Sequence, residues 1–290
     1  MNILVTGAGG FIGRKLSSRL MGRGHHVFGL SLTHPRDDCH GFKDYYQQDL
    51  TKPFSLKPHF DFVFHLAAYN ITNVGIKQDG LYTAANVEGT KNLLQAVQAR
   101  KWVYLSTTKV YKNEGLPIFE NSVLSPQGVY EQSKLKAEEL CRSSLPEGQL
   151  VILRSVNVMG PGQALKAVLP VFFQKAKANQ ALDIINAAHT PMQYVYVEDL
   201  VDAFEALVLH ENQSGIFNVA HEETTTLEKL AKAVIALMHS SSALNMMKGT
   251  PETLFSPVNC DKAYGSFGWK AKTGLTRILE LYKEGYAKNS

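Results

Sequence analysis

Residues 2–13 read NILVTGAGGFIG. Ile3, Leu4 and Val5 form a continuous apolar run that suits a buried strand, and the run stops at Gly7. Gly7, Gly10 and Gly13 then recur at three-residue spacing. The next stretch, IGRKLSSRLMGRG, has helical periodicity and a glycine-rich stop at Gly22 and Gly24. Strand, glycine turn and helix in that order bring the N-terminal amides and positive dipole end of a helix to one point. Glycines let the main chain approach a pyrophosphate there. The stretch predicts a dinucleotide-binding turn at the head of an α/β fold.

The alternation continues outward. HVFGLSL (26–32), DYYQQDL (44–50), DFVFHLAA (61–68), WVYLSTT (102–108) and LVILRSVNV (150–158) read as strands. Helical stretches fall at 80–99 and 127–145. Near-continuous apolar strands alternating with helices indicate a parallel sheet covered on both faces, the doubly wound arrangement. After Met159–Gly162 the texture changes. A helix is expected over 164–179, a strand at 182–185, and a strand running into a helix over 193–210. A further strand is expected at 215–220, then helices at 226–239 and 274–288. The loop-rich region 240–271 belongs with this second part. The division expected is a nucleotide-binding domain over 1–162 and a smaller α/β substrate domain over 163–290, with 193–221 returning to the first.

Composition narrows the class. The chain has 290 residues, 44% hydrophobic and 19% charged, with a net charge of +4. No run of five or more Lys or Arg supports nucleic-acid binding. Cys39, Cys141 and Cys260 are scattered, without a CxxC pair, which argues against a disulfide framework or a zinc site. The ten histidines lack H-x-x-x-H spacing, so no metal is expected. No apolar run reaches the ~20 residues that span a bilayer, and the first strand begins at once, leaving no room for a signal peptide. The expectation is a cytoplasmic protein that contacts no membrane. Trp102 and Trp269 are expected as core anchors.

Two further patterns concern chemistry. Dinucleotide sites that take NAD place Asp or Glu at the end of the second strand, on the ribose 2′-hydroxyl. Here the strand ends Gly29-Leu30-Ser31-Leu32. Ser31 can bond a 2′-phosphate, with His34 and Arg36 within reach, which tilts the reading towards NADP. Folding back of Asp37 or Asp38 would instead give NAD. In VYEQSK (129–134), Tyr130 and Lys134 are four apart and share one helical face. An ammonium beside a phenol lowers its pKa, so the pair is a candidate proton shuttle.

Together these segments resemble the extended short-chain dehydrogenase/reductase family, which includes nucleotide-sugar epimerases, dehydratases and ketoreductases. The resemblance covers nearly the whole chain and implies a Rossmann-like fold. It places Gly7, Gly10, Phe11, Ile12 and Gly13 on the cofactor. QQDL adds Asp49 and Leu50 at the adenine. HLAA adds His65, Leu66, Ala67 and Ala68, and NVEGTKNLL adds Asn86 and carries Gly89. Tyr130 and Lys134 contact both cofactor and reaction. Thr107, four residues before Tyr111 in YLSTTKVY, would complete the catalytic set, with Ser106 or Thr108 as alternatives. Thr108, Asn157 and Gln193 are the further substrate contacts, and the partner expected is a small molecule, a nucleotide sugar. The helices around 80–99 and 127–144 would pair two copies in a homodimer.

Departures from the family pattern sharpen the reading. The 4,6-dehydratases carry Asp and Glu after the threonine, where this chain has Thr108 and Lys109. Members that also epimerise at carbons 3 and 5 use a Cys at Lys109 and a His at Ala167. A diphosphate-gripping arginine is replaced by Gln193, and the usual tyrosine of NVYGPG by Met159. Losing that guanidinium removes a bidentate phosphate contact, which Lys166, Lys175 or Arg277 would have to supply. The expectation is hydride transfer at one carbon by a 4-ketoreductase or 4-epimerase. A non-catalytic NAD(P)-binding regulator, or a reductase of a non-nucleotide carbonyl, is the alternative.

Overall fold

The computed structural model describes residues 1–34, 41–70, 79–185, 189–247 and 254–288. Strands β1 (Asn2–Thr6), β2 (His26–Ser31), β3 (Asp44–Gln47), β4 (His59–His65), β5 (Gln98–Thr107) and β6 (Leu150–Ser155) form one parallel sheet, joined at its edge by β10 (Gly215–Val219). The spatial order is β10-β6-β5-β4-β1-β2-β3. The order reverses on either side of β1, so a crevice opens beyond the carboxyl ends of β1 and β4, where such sheets bind ligands.

Helices cover both faces. On one lie α1 (Phe11–Gly22) and α6 (Val197–Leu209); on the other lie α2 (Asp79–Tyr82), α3 (Gly89–Ala96) and α4 (Val129–Ser144). Phe204 of α6 meets Phe64 of β4 edge to face, 5.4 Å between centroids. Each fully buried Phe contributes about 2–3 kcal/mol. At their rims α1 and α6 are joined by Lys15 to Glu198 (2.7 Å), Arg19 to Asp202 (2.6 Å) and Arg23 to Glu205.

The second part has its own core. Here α5 (Val168–Lys177), α7 (Leu227–Leu237) and α9 (Leu275–Lys288) pack around Phe173, Tyr194 and Ile278. Strands β7 (Asn157–Met159), β9 (Met192–Tyr196) and β11 (Thr224–Thr225) make a small sheet. A parallel pair of β8 (Leu182–Ile185) and β12 (Leu244–Met247) makes another, and α8 (Asp261–Phe267) packs on β10. Trp102 and Trp269 are both core residues. No helix among the described residues is long and apolar enough to cross a membrane.

Three elements differ from the sequence reading. The expected sixth strand splits at Val156: β6 stays in the main sheet while β7 turns away to pair with β9. The helix expected over 80–99 ends at Ala96, because Gln98 already pairs with His59 as β5 begins. Its middle, Thr83–Glu88, is wound as a π-helix, a form found mostly at functional sites. The helix expected from 164 starts only at Val168, since Ala167 is extended and a turn closes from Ala167 N to Ala164 O.

One buried carboxylate ties the chain's last third to the main sheet. Asp199 Oδ2 accepts from the backbone of Lys272 (3.0 Å) and Thr273 (2.8 Å), and Oδ1 accepts from the Thr273 hydroxyl (2.9 Å). Its carbonyl accepts from Trp269 Nε1 at 2.7 Å. Asp199→Ala strands three donors, so we expect a loss of about 3 kcal/mol in urea melts. Asp199→Asn, which keeps one acceptor, should lose less.

Candidate active site

The glycine turn has the geometry that its spacing predicts. Gly7 leaves β1 at φ +69°, a conformation that side chains disfavour, and a Cβ there would lie 3.0 Å from Ala67 N. A Cβ on Gly13 would run into the Gly7 carbonyl oxygen. The N-terminus of α1 has no side-chain cap and no acidic residue in its first turn. Its first amides, from Phe11 onward, are therefore left to an external anion, and this donor set fits a pyrophosphate.

Around the turn stand the other expected cofactor residues. Asp49 is held by the Thr51 hydroxyl (2.8 Å) and amide (2.9 Å), which depress its pKa. Leu50 O accepts from Asn92 Nδ2 (2.8 Å), and its side chain packs beneath Gly89. Leu66, Ala67 and Ala68 follow the end of β4 beside Gly7. Ser31 ends β2, and its hydroxyl lies 3.3 Å from a Cβ built on Gly9. Arg36, Asp37, Asp38 and Cys39 lie outside the described residues.

Two expected contacts have other roles. His65 does not line the cofactor: it is 1% exposed and both ring nitrogens are engaged. Ala67 N–H donates to Thr6 Oγ1 (3.1 Å), and the Thr90 hydroxyl donates to Asn86 O (2.6 Å). With those ends fixed, Thr6 donates to Nδ1 (2.8 Å) and Nε2–H donates to Thr90 (2.9 Å). That chain suits a neutral imidazole, and burial, followed by nearby Lys134, pushes the His65 pKa down to about 3. Asn86 is likewise 1% exposed. Its amide accepts from Tyr69 N (2.7 Å) and donates to Tyr69 O (3.0 Å) and Ser133 Oγ (2.9 Å). It clamps α4 to the π-turn rather than reaching into the crevice. Only the i,i+4 spacing of Asn86 and Thr90 hinted at this network.

Helix α4, which carries Tyr130 and Lys134, is fixed by three successive contacts. Ser133 bonds Asn86 and donates to Tyr130 O (2.7 Å); Lys134 Nζ donates to Leu105 O (2.7 Å) and lies 4.1 Å over the Tyr104 ring; Glu138 pairs with Arg154. That last pair is bidentate, 2.6 and 3.0 Å, with both side chains 1% exposed. Sequence reasoning missed it, because nothing local marks a carboxylate on a helix for a strand sixteen residues on. Breaking a buried pair from one side costs about 3–5 kcal/mol.

The expected tuning of Tyr130 by Lys134 is not what the geometry gives. Burial first, then Glu131 and Tyr82, push the Tyr130 phenol up to about 12. Its ring lies 6.0 Å from Tyr82. The ammonium is turned to the Leu105 carbonyl, and burial lowers Lys134 itself to about 7. Tyr130 is thus a protonated phenol near neutral pH, ready to donate.

A cavity of about 580 Å³ opens beyond β5 and α4. Thr107, Thr108, Asn157 and Gln193 all line it, with Lys109, Glu131 and Phe255. Ser106 is buried elsewhere, leaving Thr107 and Thr108 of the three hydroxyl candidates. Thr107 Oγ1 accepts from Lys109 N (3.3 Å), so its own hydrogen remains available to donate into the cavity. Gln193 forms wall rather than substrate contact, because its amide is taken by Val258 and His221. Arg277 pairs with Glu280 and Glu284 on its own helix, and Lys175 with Asp183. No group of three or more potential metal ligands occurs among the described residues.

Lys134 gives a pH test with a definite sign. In the unfolded chain it titrates near 10.5, in the folded chain near 7. Between these values the unfolded chain binds the extra proton. This group's contribution is full above the unfolded value, fades as pH falls, and is gone below the folded one. In lysine-labelled protein, the carbon-13 NMR signal of Lys134 should show its midpoint near 7, and Lys134→Met should remove it.

Residues 3–220 match the model of the NAD dependent epimerase/dehydratase family. Over 98% of its length the chain is 25% identical to an Arabidopsis thaliana trifunctional UDP-glucose 4,6-dehydratase/UDP-4-keto-6-deoxy-D-glucose 3,5-epimerase/UDP-4-keto-L-rhamnose-reductase, and it spans 47% of that protein. It is 28% identical to the dTDP-4-dehydro-6-deoxyglucose reductase of Escherichia coli, covering 80% of each chain. MoeE5, solved in complex with UDP-glucuronic acid and NAD, superimposes over the full length of both chains with a TM-score of 0.90 at 22% identity. The chain belongs to the NAD-dependent epimerase/dehydratase family.

Proposed function

We propose that this protein transfers hydride at a single carbon of a nucleotide-activated sugar, as a 4-ketoreductase or a 4-epimerase. The observation that carries the reading is the cavity beside the catalytic helix. Thr107 offers a free hydroxyl hydrogen there, Lys134 is buried one helical turn from Tyr130, and Thr108 and Lys109 occupy the positions where a dehydratase needs carboxylates. Thr108 and Lys109 leave those two positions without the carboxylates that eliminate water across C5–C6, although several relatives are dehydratases.

The nicotinamide, when bound, supplies or accepts the hydride. Tyr130 donates its phenolic proton to the substrate oxygen and Thr107 hydrogen-bonds that same oxygen, while Lys134, turned to the Leu105 carbonyl, holds the helix against β5. A reductase stands among the relatives, which supports reduction as the first step. On the cofactor, Ser31 in place of a carboxylate argues for NADP, while relatives solved with NAD argue for NAD. The exposed faces of α3 and α4 are the surfaces on which two copies would pair.

Tyr130→Phe should lower kcat by about 10²–10⁴ while leaving cofactor affinity within about twofold. Activity surviving that change would sink the mechanism. Thr107→Ala should cost roughly 10²-fold in kcat. Denaturing fresh protein and identifying the released nucleotide separates the two reactions. Near-stoichiometric NAD supports the epimerase, and an empty site that binds NADPH more tightly than NADH supports the ketoreductase.

A further inference from the structure

The far wall of the cavity is built from two segments that are distant in sequence, residues 113–120 and 254–259. They are joined in three places. Ser256 Oγ, 7% exposed, accepts from the backbone of Glu114 (3.1 Å) and Gly115 (2.9 Å). Asn113 Nδ2 donates to Leu254 O. Ile118 N donates to Pro257 O (2.7 Å), and Asn259 N donates to Ile118 O (2.9 Å), a short parallel bridge across Val258. Ile118, Phe255, Ser256 and Val258 all face the cavity.

Val258's own peptide groups point the other way. Its N–H donates to Gln193 Oε1 at 2.6 Å and its carbonyl accepts from Gln193 Nε2 at 3.4 Å. The second hydrogen of that amide reaches His221 O at 3.0 Å. Val258 is therefore a one-residue strand with partners on both edges: the backbone of Ile118 on one, and a side-chain amide imitating a peptide on the other. Only Gln and Asn carry such an amide, and only Gln is long enough to present it from inside β9 at this distance. Gln193 is 5% exposed, so an apolar replacement would strand the Val258 N–H and two carbonyls away from water.

We propose that Gln193 is a positioning residue that sets substrate affinity and selectivity by latching the 113–120/254–259 wall to β9. The proposal rests on the reading of the cavity as the nucleotide-sugar site. Gln193 touches neither the reacting atoms nor the phosphate loop, so the latch acts on the substrate side alone.

The test compares the full-length protein with Gln193→Met, which keeps volume and removes every polar atom. Hydrogen exchange read by mass spectrometry should quicken in peptides covering 113–120 and 254–259 and stay unchanged over 129–144. Affinity for UDP-glucose, used as the probe, should weaken roughly tenfold or more, with NAD affinity unchanged. If the variant does not fold, Ser256→Ala loosens the same wall from its other side and should give the same pattern. Unchanged exchange in both wall peptides overturns the proposal, as does an equal loss of NAD and UDP-glucose affinity. Wild-type protein that fails to bind UDP-glucose counts against the nucleotide-sugar reading, and the exchange result, which needs no ligand, still decides the latch.

Discussion

The Lys134 ammonium is the group around which the active site is organised. An ammonium 3% exposed is largely stripped of hydration, which lowers its pKa to about 7, and it is held through contacts of fixed geometry. These are with the Leu105 carbonyl at 2.7 Å and the face of Tyr104. Both partners belong to β5, so the lysine can be buried only if α4 lies at one height against that strand. The same height sets Tyr130 one turn earlier and Thr107 at the strand's end. Glu138 one turn later makes the matching demand, since its carboxylate is buried with Arg154 of β6. Two adjacent strands thus index one helix through charges that cannot be left unpaired.

The two sides of the crevice are built by different physics. On the cofactor side the binding groups are backbone amides released by a tight glycine turn, braced from behind by Thr6, His65, Thr90 and Asn86. That network engages both ring nitrogens of His65, and burial keeps the imidazole neutral. On the substrate side the wall is made of irregular chain, and irregular chain needs side chains to satisfy its peptide groups. Gln193, Ser256 and Asn218 do this, the last by accepting from Tyr111 (2.8 Å) and donating to Asn259 O (3.3 Å). Tyr111 in turn lies over the Arg154 guanidinium, 4.7 Å away, so wall and catalytic helix share one buried frame.

Legibility in the sequence followed the range of the interaction. The strand–turn–helix at Asn2–Gly22, the parallel order of the first strands and the Tyr130–Lys134 helix depend on neighbours a few residues apart, and their spacing carries them. The split of the sixth strand at Val156 was not legible, because the apolar run is continuous and only the pairing of β7 with β9, thirty-odd residues on, pulls it away. Asn86 and His65 were recognised as residues of interest, yet their roles were misjudged, since burial decides whether an amide or imidazole reaches a ligand or a neighbouring element.

What the sequence determined by itself was the fold class, the place of the glycine turn and the placing of Tyr130 and Lys134 on one helix, all written in local spacing and glycine placement. What only the tertiary structure decided was the electrostatic state of those residues and the construction of the substrate wall. The sequence puts a lysine four residues from a tyrosine; burial against β5 turns its ammonium to a carbonyl and leaves the phenol at about 12. It puts a glutamine at 193; the approach of Val258, sixty-five residues away, converts that amide into part of a sheet. Desolvation and long-range pairing depend on which distant segments arrive, and no local pattern encodes their arrival.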